Sequence, residues 1–155
     1  MENPDHLEYA GFWVRTWAAL IDSVLLIVIL FPLLTVIYGW TYWESTKFVQ
    51  GPADFLLSWI APAIVVLVFW AVKQATPGKM AVSTRIVDAK TGGNPTTTQL
   101  VIRYLGYYVS MIPLFLGIIW IAFDRRKQGW HDKIAGTVVV RQKGGSTEAV
   151  KFNHN

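Results

Sequence analysis

Residues 16–38 read TWAALIDSVLLIVILFPLLTVIY. One charged residue, Asp22, interrupts a run of Leu, Ile, Val, Ala and aromatic side chains. At 1.5 Å rise per residue the run makes a helix of roughly 34 Å, long enough to cross the hydrocarbon of a bilayer with some tilt. Trp13 and Trp17 mark one end, and Trp40, Tyr42 and Trp43 the other. Such rings favour the lipid–water boundary. Pro32 lies inside, where a transmembrane helix tolerates it better than a soluble one.

Working outward, residues 39–54 form a short polar connection. A second apolar segment runs from Phe55 to Val72 with Pro62 inside it. It would be roughly 27 Å long, close to the minimum span. The third, Leu100 to Phe123, is interrupted by Arg103 and Pro113. It is either one span, about 104–123, or two shorter helices bent at Pro113 that enter and leave on one side. Between the second and third segments the pattern changes. Ala81–Val87 is short and β-branched, Asp88–Pro95 is rich in turn formers, and a helix start is expected near Pro95–Thr98. A second β-like run, Thr137–Arg141, follows the third segment.

The fold class expected is an all-α membrane protein. It has two transmembrane helices, a third Pro-broken segment and a small two-stranded cytoplasmic β element. Residues 1–10 read as an N-terminal tail, 10–141 as the membrane domain and 142–155 as a C-terminal tail. No basic, short-apolar, small-residue pattern of a signal peptide opens the sequence.

Charge placement bears on the third segment. Of the 14 Lys and Arg, Arg15 precedes the first span and Lys47 lies in the first loop. Lys73, Lys79, Arg85, Lys90 and Arg103 follow the second span, and the remainder follow the third segment. Three full crossings would divide the cations almost evenly. A re-entrant third segment leaves Lys47 alone on the far side, and the positive-inside rule favours it, with the N-terminus cytoplasmic.

Composition agrees with a bilayer. Hydrophobic residues make up 53% of the 155 residues and charged residues 15%, against about 25% in soluble domains. The net charge of +4 is that of membrane loops facing anionic lipid rather than of a nucleic-acid binder. There is no Cys, which excludes disulfides and thiolate chemistry. His6, His131 and His154 have no ligand-like spacing, so no metal or other cofactor is expected.

Arg15, Ala18, Ala19 and Asp22 share one helical face. Asp22 lies about 10 Å deeper than Arg15, too far for an easy pair along the axis. A carboxylate in an apolar span needs a partner, a water-filled cavity or a proton; Arg103, Arg125 and Lys79 are the candidate partners. Further on come Thr76-Pro77-Gly78-Lys79-Met80, Arg85-Ile86-Val87-Asp88, Arg103, and the run from Asp124-Arg125-Arg126-Lys127 through Gly129-Trp130-His131-Asp132 to Ala135-Gly136-Thr137. Together with Arg15 and Asp22, these resemble the RDD family of membrane proteins, named for one arginine and two aspartates. The resemblance covers roughly residues 10–141. It makes Arg15 and Asp22 the signature arginine and first aspartate. Asp132 is taken as the second, with Asp124 as its rival.

The plainer readings stand beside these. Arg15 and Asp22 equally suit an ion-pair network that fixes helix packing. Thr76–Lys79 reads as a turn with a snorkelling lysine, since P-loop spacing is absent. His131 and Asp132 suit a helix cap or a salt bridge to Arg125 or Arg126. Arg125–Lys127 suits lipid head groups. No nucleophile–base pair or cofactor loop is seen, so an enzyme is not expected. The resemblance implies ligand movement, with cation–proton exchange suggested for some members; Asp22 would be the coupling group. One copy is too small to enclose a pathway, so that reading requires a homo-oligomer. The alternative is a non-transporting accessory or assembly subunit that binds a partner membrane protein.

Overall fold

The computed structural model describes residues 7–142. The expected C-terminal tail therefore falls outside the described residues, apart from Gln142. Helix α1 spans Phe12–Tyr38. Much of it is β-branched, a poor helix former in water. In an apolar medium each backbone group must be satisfied within the segment, and a helix achieves this. It stops at Gly39, whose φ of 76° lets its N–H return to the Thr35 carbonyl at 2.9 Å. Helix α2, Pro52–Lys73, starts with Pro52 in its first turn and widens into a π turn over Leu56–Ile60, just before Pro62. Pro62 has no N–H to give the preceding turn, a recognised cause of such irregularity. Both helices are long and apolar enough to cross a membrane, and almost none of either is buried.

A one-turn helix, α3 (Pro77–Ala81), leads into strand β2 (Thr84–Asp88). Helix α4, Thr97–Met111, opens on a capping box between Thr96 and Gln99. Helix α5, Leu116–Ala122, lies at 113° to it. Pro113 sits in the corner, and Leu114 and Phe115 follow with positive φ (51° and 61°). The two ends of this segment meet the same part of the molecule. Gln99 Nε2 donates to Asp88 Oδ2 at 2.6 Å, and Arg126 Nη2 donates to the Ala89 carbonyl at 2.6 Å. The third segment thus leaves the sheet, bends sharply at Pro113 and returns to the sheet, the bent form of the two courses expected. Its tip is apolar, with Ile112 and Leu114 more than 80% exposed.

Helix α6, Trp130–Ala135, ends at Gly136 (φ 65°) and passes into strand β3, Thr137–Gln142. The β element has three strands rather than the expected two. Leu7–Tyr9, placed in the N-terminal tail by the sequence reading, forms strand β1. The sheet is antiparallel in the order β1-β3-β2, with Tyr9 opposite Val140 and Ile86 opposite Val139. Val138, Val139 and Val140 are fully buried. A strand with no exposed surface needs a hydrogen-bonding neighbour on each edge, and β1 supplies the second. One face of the sheet gathers Leu7, Tyr9, Val87, Ala89, Val138 and Val140. The other packs Val139 and Ile86 on Trp70 of α2 and Leu100 of α4.

Candidate functional site

Asp132 lies in the first turn of α6 and is fully buried. Arg15, at the start of α1, donates to its Oδ2 at 2.5 Å. Arg103, from the middle of α4, donates to its Oδ1. The Gly129 N–H completes the set at 3.0 Å, so the carboxylate also caps its own helix. Both guanidiniums are anchored elsewhere. Arg15 reaches the carbonyls of Ala10 (3.0 Å) and Lys127 (2.6 Å), and Arg103 reaches the Thr137 hydroxyl at 2.8 Å. One carboxylate thereby joins α1, α4, α6 and the start of β3. Burial alone would push the Asp132 carboxyl up, but Arg103 and Arg15 hold it well below the usual carboxylate range.

His131 is buried beside this cluster. Its ring stacks on Tyr107 (centroids 3.9 Å apart) and its Nδ1 lies 3.3 Å from the Ser110 hydroxyl. Burial pushes the imidazole down to about 3, with Arg103 and Arg15 adding to the effect and Asp132 opposing it. It is therefore neutral at pH 7. Gly106 makes room for α6: a Cβ there would sit 2.9 Å from the His131 Cα.

Asp22 is not brought to Arg103 or Arg125. Its Oδ2 accepts from the Thr76 hydroxyl at 2.5 Å and its Oδ1 from the Gly78 N–H at 2.7 Å. The first turn of α3 is thus docked on α1. The approach requires glycine at 78, where a Cβ would lie 2.1 Å from the Ala18 carbonyl oxygen and 2.8 Å from the Asp22 Cγ. Arg125 is exposed. Asp124 pairs with Lys133 and accepts from the N–H groups of Arg126 and Gln128 at 3.1 Å. Burial would raise its carboxyl, and these donors bring it below the usual range. Asp124 thus clamps its own loop and Lys133, whereas Asp132 is paired with Arg15 and Arg103.

Lys79 departs from the snorkelling expectation. The residue is only 9% exposed, with its ammonium 5.3 Å from the centre of the Trp70 ring. Burial lowers its pKa, Tyr107 and Asp22 pulling the other way. Lys79, Arg15, Asp22, Thr76 and His131 line one cleft of about 730 Å³ between α1 and the α2–α4 pair. Its other walls are apolar and aromatic, among them Phe12, Leu26, Trp59, Tyr104 and Ile118. Sequence reading missed Thr76 and His131 as parts of this site. Thr-Pro-Gly at 76–78, a capped helix start with one residue stripped of its Cβ, is the signal that a backbone–carboxylate contact was built there.

Sequence comparison adds the lineage. Residues 9–136 match the RDD family. The uncharacterized membrane protein YteJ of Bacillus subtilis is 33% identical over 144 residues, covering 87% of this chain and 82% of the relative. YxaI of the same organism, also uncharacterized, is 28% identical over 163 residues, covering 90% and 99%. An uncharacterized protein of Rickettsia prowazekii is 44% identical over 75 residues, but the match takes in 48% of this chain and 41% of the relative's length. No solved structure matches. With most of its length matched, the chain belongs to the RDD family of membrane proteins.

Proposed function

We propose that this chain is a small transporter of the bacterial inner membrane, working as a homo-oligomer, with cation–proton exchange as its reaction and Asp22 as the coupling group. The observation that carries this reading is the setting of Asp22. It stands in the wall of the cleft, about 10 Å along α1 from Arg15, with one oxygen held by the Thr76 hydroxyl. A carboxylate in an apolar segment is costly and tends to mark an ion path. Turning the Thr76 hydroxyl away leaves Oδ2 open to a cation or a proton. The long apolar flank of α1, buried only at Ala18 and Leu34, supports a second copy as the missing wall. Lys47 is on the loop between α1 and α2, while Lys73, Lys90, Arg125 and Lys133 belong to the opposite, sheet end. The positive-inside rule then puts the sheet and the N-terminus in the cytoplasm.

The test is ion flux in proteoliposomes loaded with a pH-sensitive dye, comparing the natural sequence with Asp22→Asn as Na⁺ or K⁺ is added outside. Cation-dependent proton movement lost in a folded variant is the expected result. No movement in either, from folded and oriented protein, would sink the exchanger reading. One observation favours the accessory-subunit alternative: both Asp22 oxygens are already used to dock α3 on α1. In that role Asp22→Asn lowers yield and assembly with a partner, and no protein of this sequence gives flux.

A further inference from the structure

The charges around the cleft do not balance. Arg15, Lys79 and Arg103 stand against Asp22 and Asp132. Arg15 and Arg103 are committed to Asp132, and Asp22 is committed to Thr76 and Gly78. The surplus is Lys79. Among the described residues its ammonium has no hydrogen-bond or ion-pair partner and rests against the face of Trp70. Asp22 is the acidic group that acts on it, but both Asp22 oxygens are tied to Thr76 and Gly78, and a cation nine-tenths buried without a direct ion pair is expensive. A second buried group on the same cleft lacks a hydrogen bond: the Nε2 of the neutral His131, which lies 3.6 Å from Asp132 Oδ2. The rest of the lining is apolar and aromatic, from Phe12 through Leu26 and Trp59 to Ile118. The volume, about 730 Å³, lies in the range of small-molecule sites.

We infer that the cleft binds an anionic amphiphile, its acidic head on the Lys79 ammonium and its apolar tail along the faces of α1, α2 and the re-entrant segment. A carboxylate or a phosphodiester head meets the charge requirement equally. A free fatty acid and an anionic phospholipid of the bilayer are therefore the two sources of the same chemistry. The inference goes beyond cation exchange and does not depend on it. It requires only that the cleft be open to the apolar phase.

The experiment uses the full chain purified in an uncharged detergent. Binding of radiolabelled palmitate and of phosphatidylglycerol is measured, with hexadecanol and phosphatidylcholine as neutral-head controls. The anionic probes should bind and the controls should not. Palmitate alone binding assigns a fatty acid, phosphatidylglycerol alone assigns a membrane lipid, and both binding assigns the shared chemistry. Lys79→Met keeps the length of the side chain and removes the charge, and should weaken binding about tenfold or more. The same change should leave the ligand-free protein as stable as before or more so, because it removes an unpaired buried charge; a purely structural lysine would do the opposite. Ala19→Phe fills the cleft without touching a charge and should also abolish binding. No binding of either anion by folded protein overturns the inference, as does binding unchanged in both variants or equal binding of the neutral controls. Anion binding without ion flux would leave this inference standing and remove the exchanger reading; the reverse result would do the opposite.

Discussion

The sheet end and the two-helix end of this molecule are built on opposite principles. At the sheet end Asp132, Arg103, His131, Thr137 and Val138–Val140 are each almost wholly buried, and the polar groups are tied to one another across four elements. At the other end α1 and the first part of α2 present bare apolar surface, with Val28, Ile29 and Val36 more than 60% exposed. The contrast shows where each end draws its order. The sheet end is self-sufficient and is held by direction-specific bonds. The two-helix end presents apolar helices that only an apolar surrounding would cover. It has one polar knot of its own, Asp54, which accepts from the Tyr42 and Ser58 hydroxyls at 2.7 Å and from the Gln50 N–H at 2.8 Å.

The largest expected effect breaks the contrast at its centre. Asp132→Ala leaves two buried guanidiniums without a counter-charge and should cost about 3–5 kcal/mol, read as loss of folded protein or a lower unfolding midpoint in detergent. Removing Arg103 and Asp132 together, as Leu and Leu, should cost less than removing Asp132 alone. If the double change is worse, the ion pairs are not the source of the loss.

A second prediction concerns pH. His131 is held at about 3 in the folded chain against an ordinary value of 6.5, so between those values the unfolded chain binds the extra proton. Stability is therefore full above about pH 6.5 and falls as the pH is lowered toward 3. Asp132, with its carboxyl depressed, works in the same direction at the acid end. Unfolding midpoints measured from pH 7 to pH 4 should decline, and His131→Gln should flatten the decline. A flat profile in the natural protein would show that the imidazole is not held neutral by burial.

The smallest effect lies at the other end. Val28→Ala, in the exposed middle of α1, should change the stability of the monomer by no more than about 0.5 kcal/mol. A larger loss, confined to conditions where the protein is oligomeric, would mean that this face is covered by a second copy.

Much of this was legible in the sequence, and the reasons are physical. The two long helices follow from apolar length alone. The returning course of the third segment followed from charge placement, because thirteen of the fourteen cations share one side, with Lys47 alone on the other, only if residues 100–123 turn back. Arg15 and Asp22 stood out because charge inside an apolar run is costly. Their partners did not. Arg15 finds an aspartate 117 positions away, and no periodicity within one helix carries that information. Asp22 is met by a hydroxyl and a backbone N–H, donors that charge counting ignores. Strand β1 was hidden because Leu7-Glu8-Tyr9 is too short to show alternation. Its pairing is decided by the unmet edge of β3, which lies at the far end of the chain.

The strand order carries a consequence for how the protein is made. β3, the last described strand, lies between the first and the second. Nothing can zip the sheet until residues 137–142 have left the ribosome, by which time every apolar segment has already met the bilayer. The sheet then closes only if its three strands have been delivered to one side. A chain whose third segment had been threaded across by mistake would strand β3 opposite its neighbours and leave Asp132 far from Arg15. Closure of the sheet therefore depends on the finished topology: a misthreaded copy would have an open sheet edge and no Arg15–Asp132 contact to hold α1.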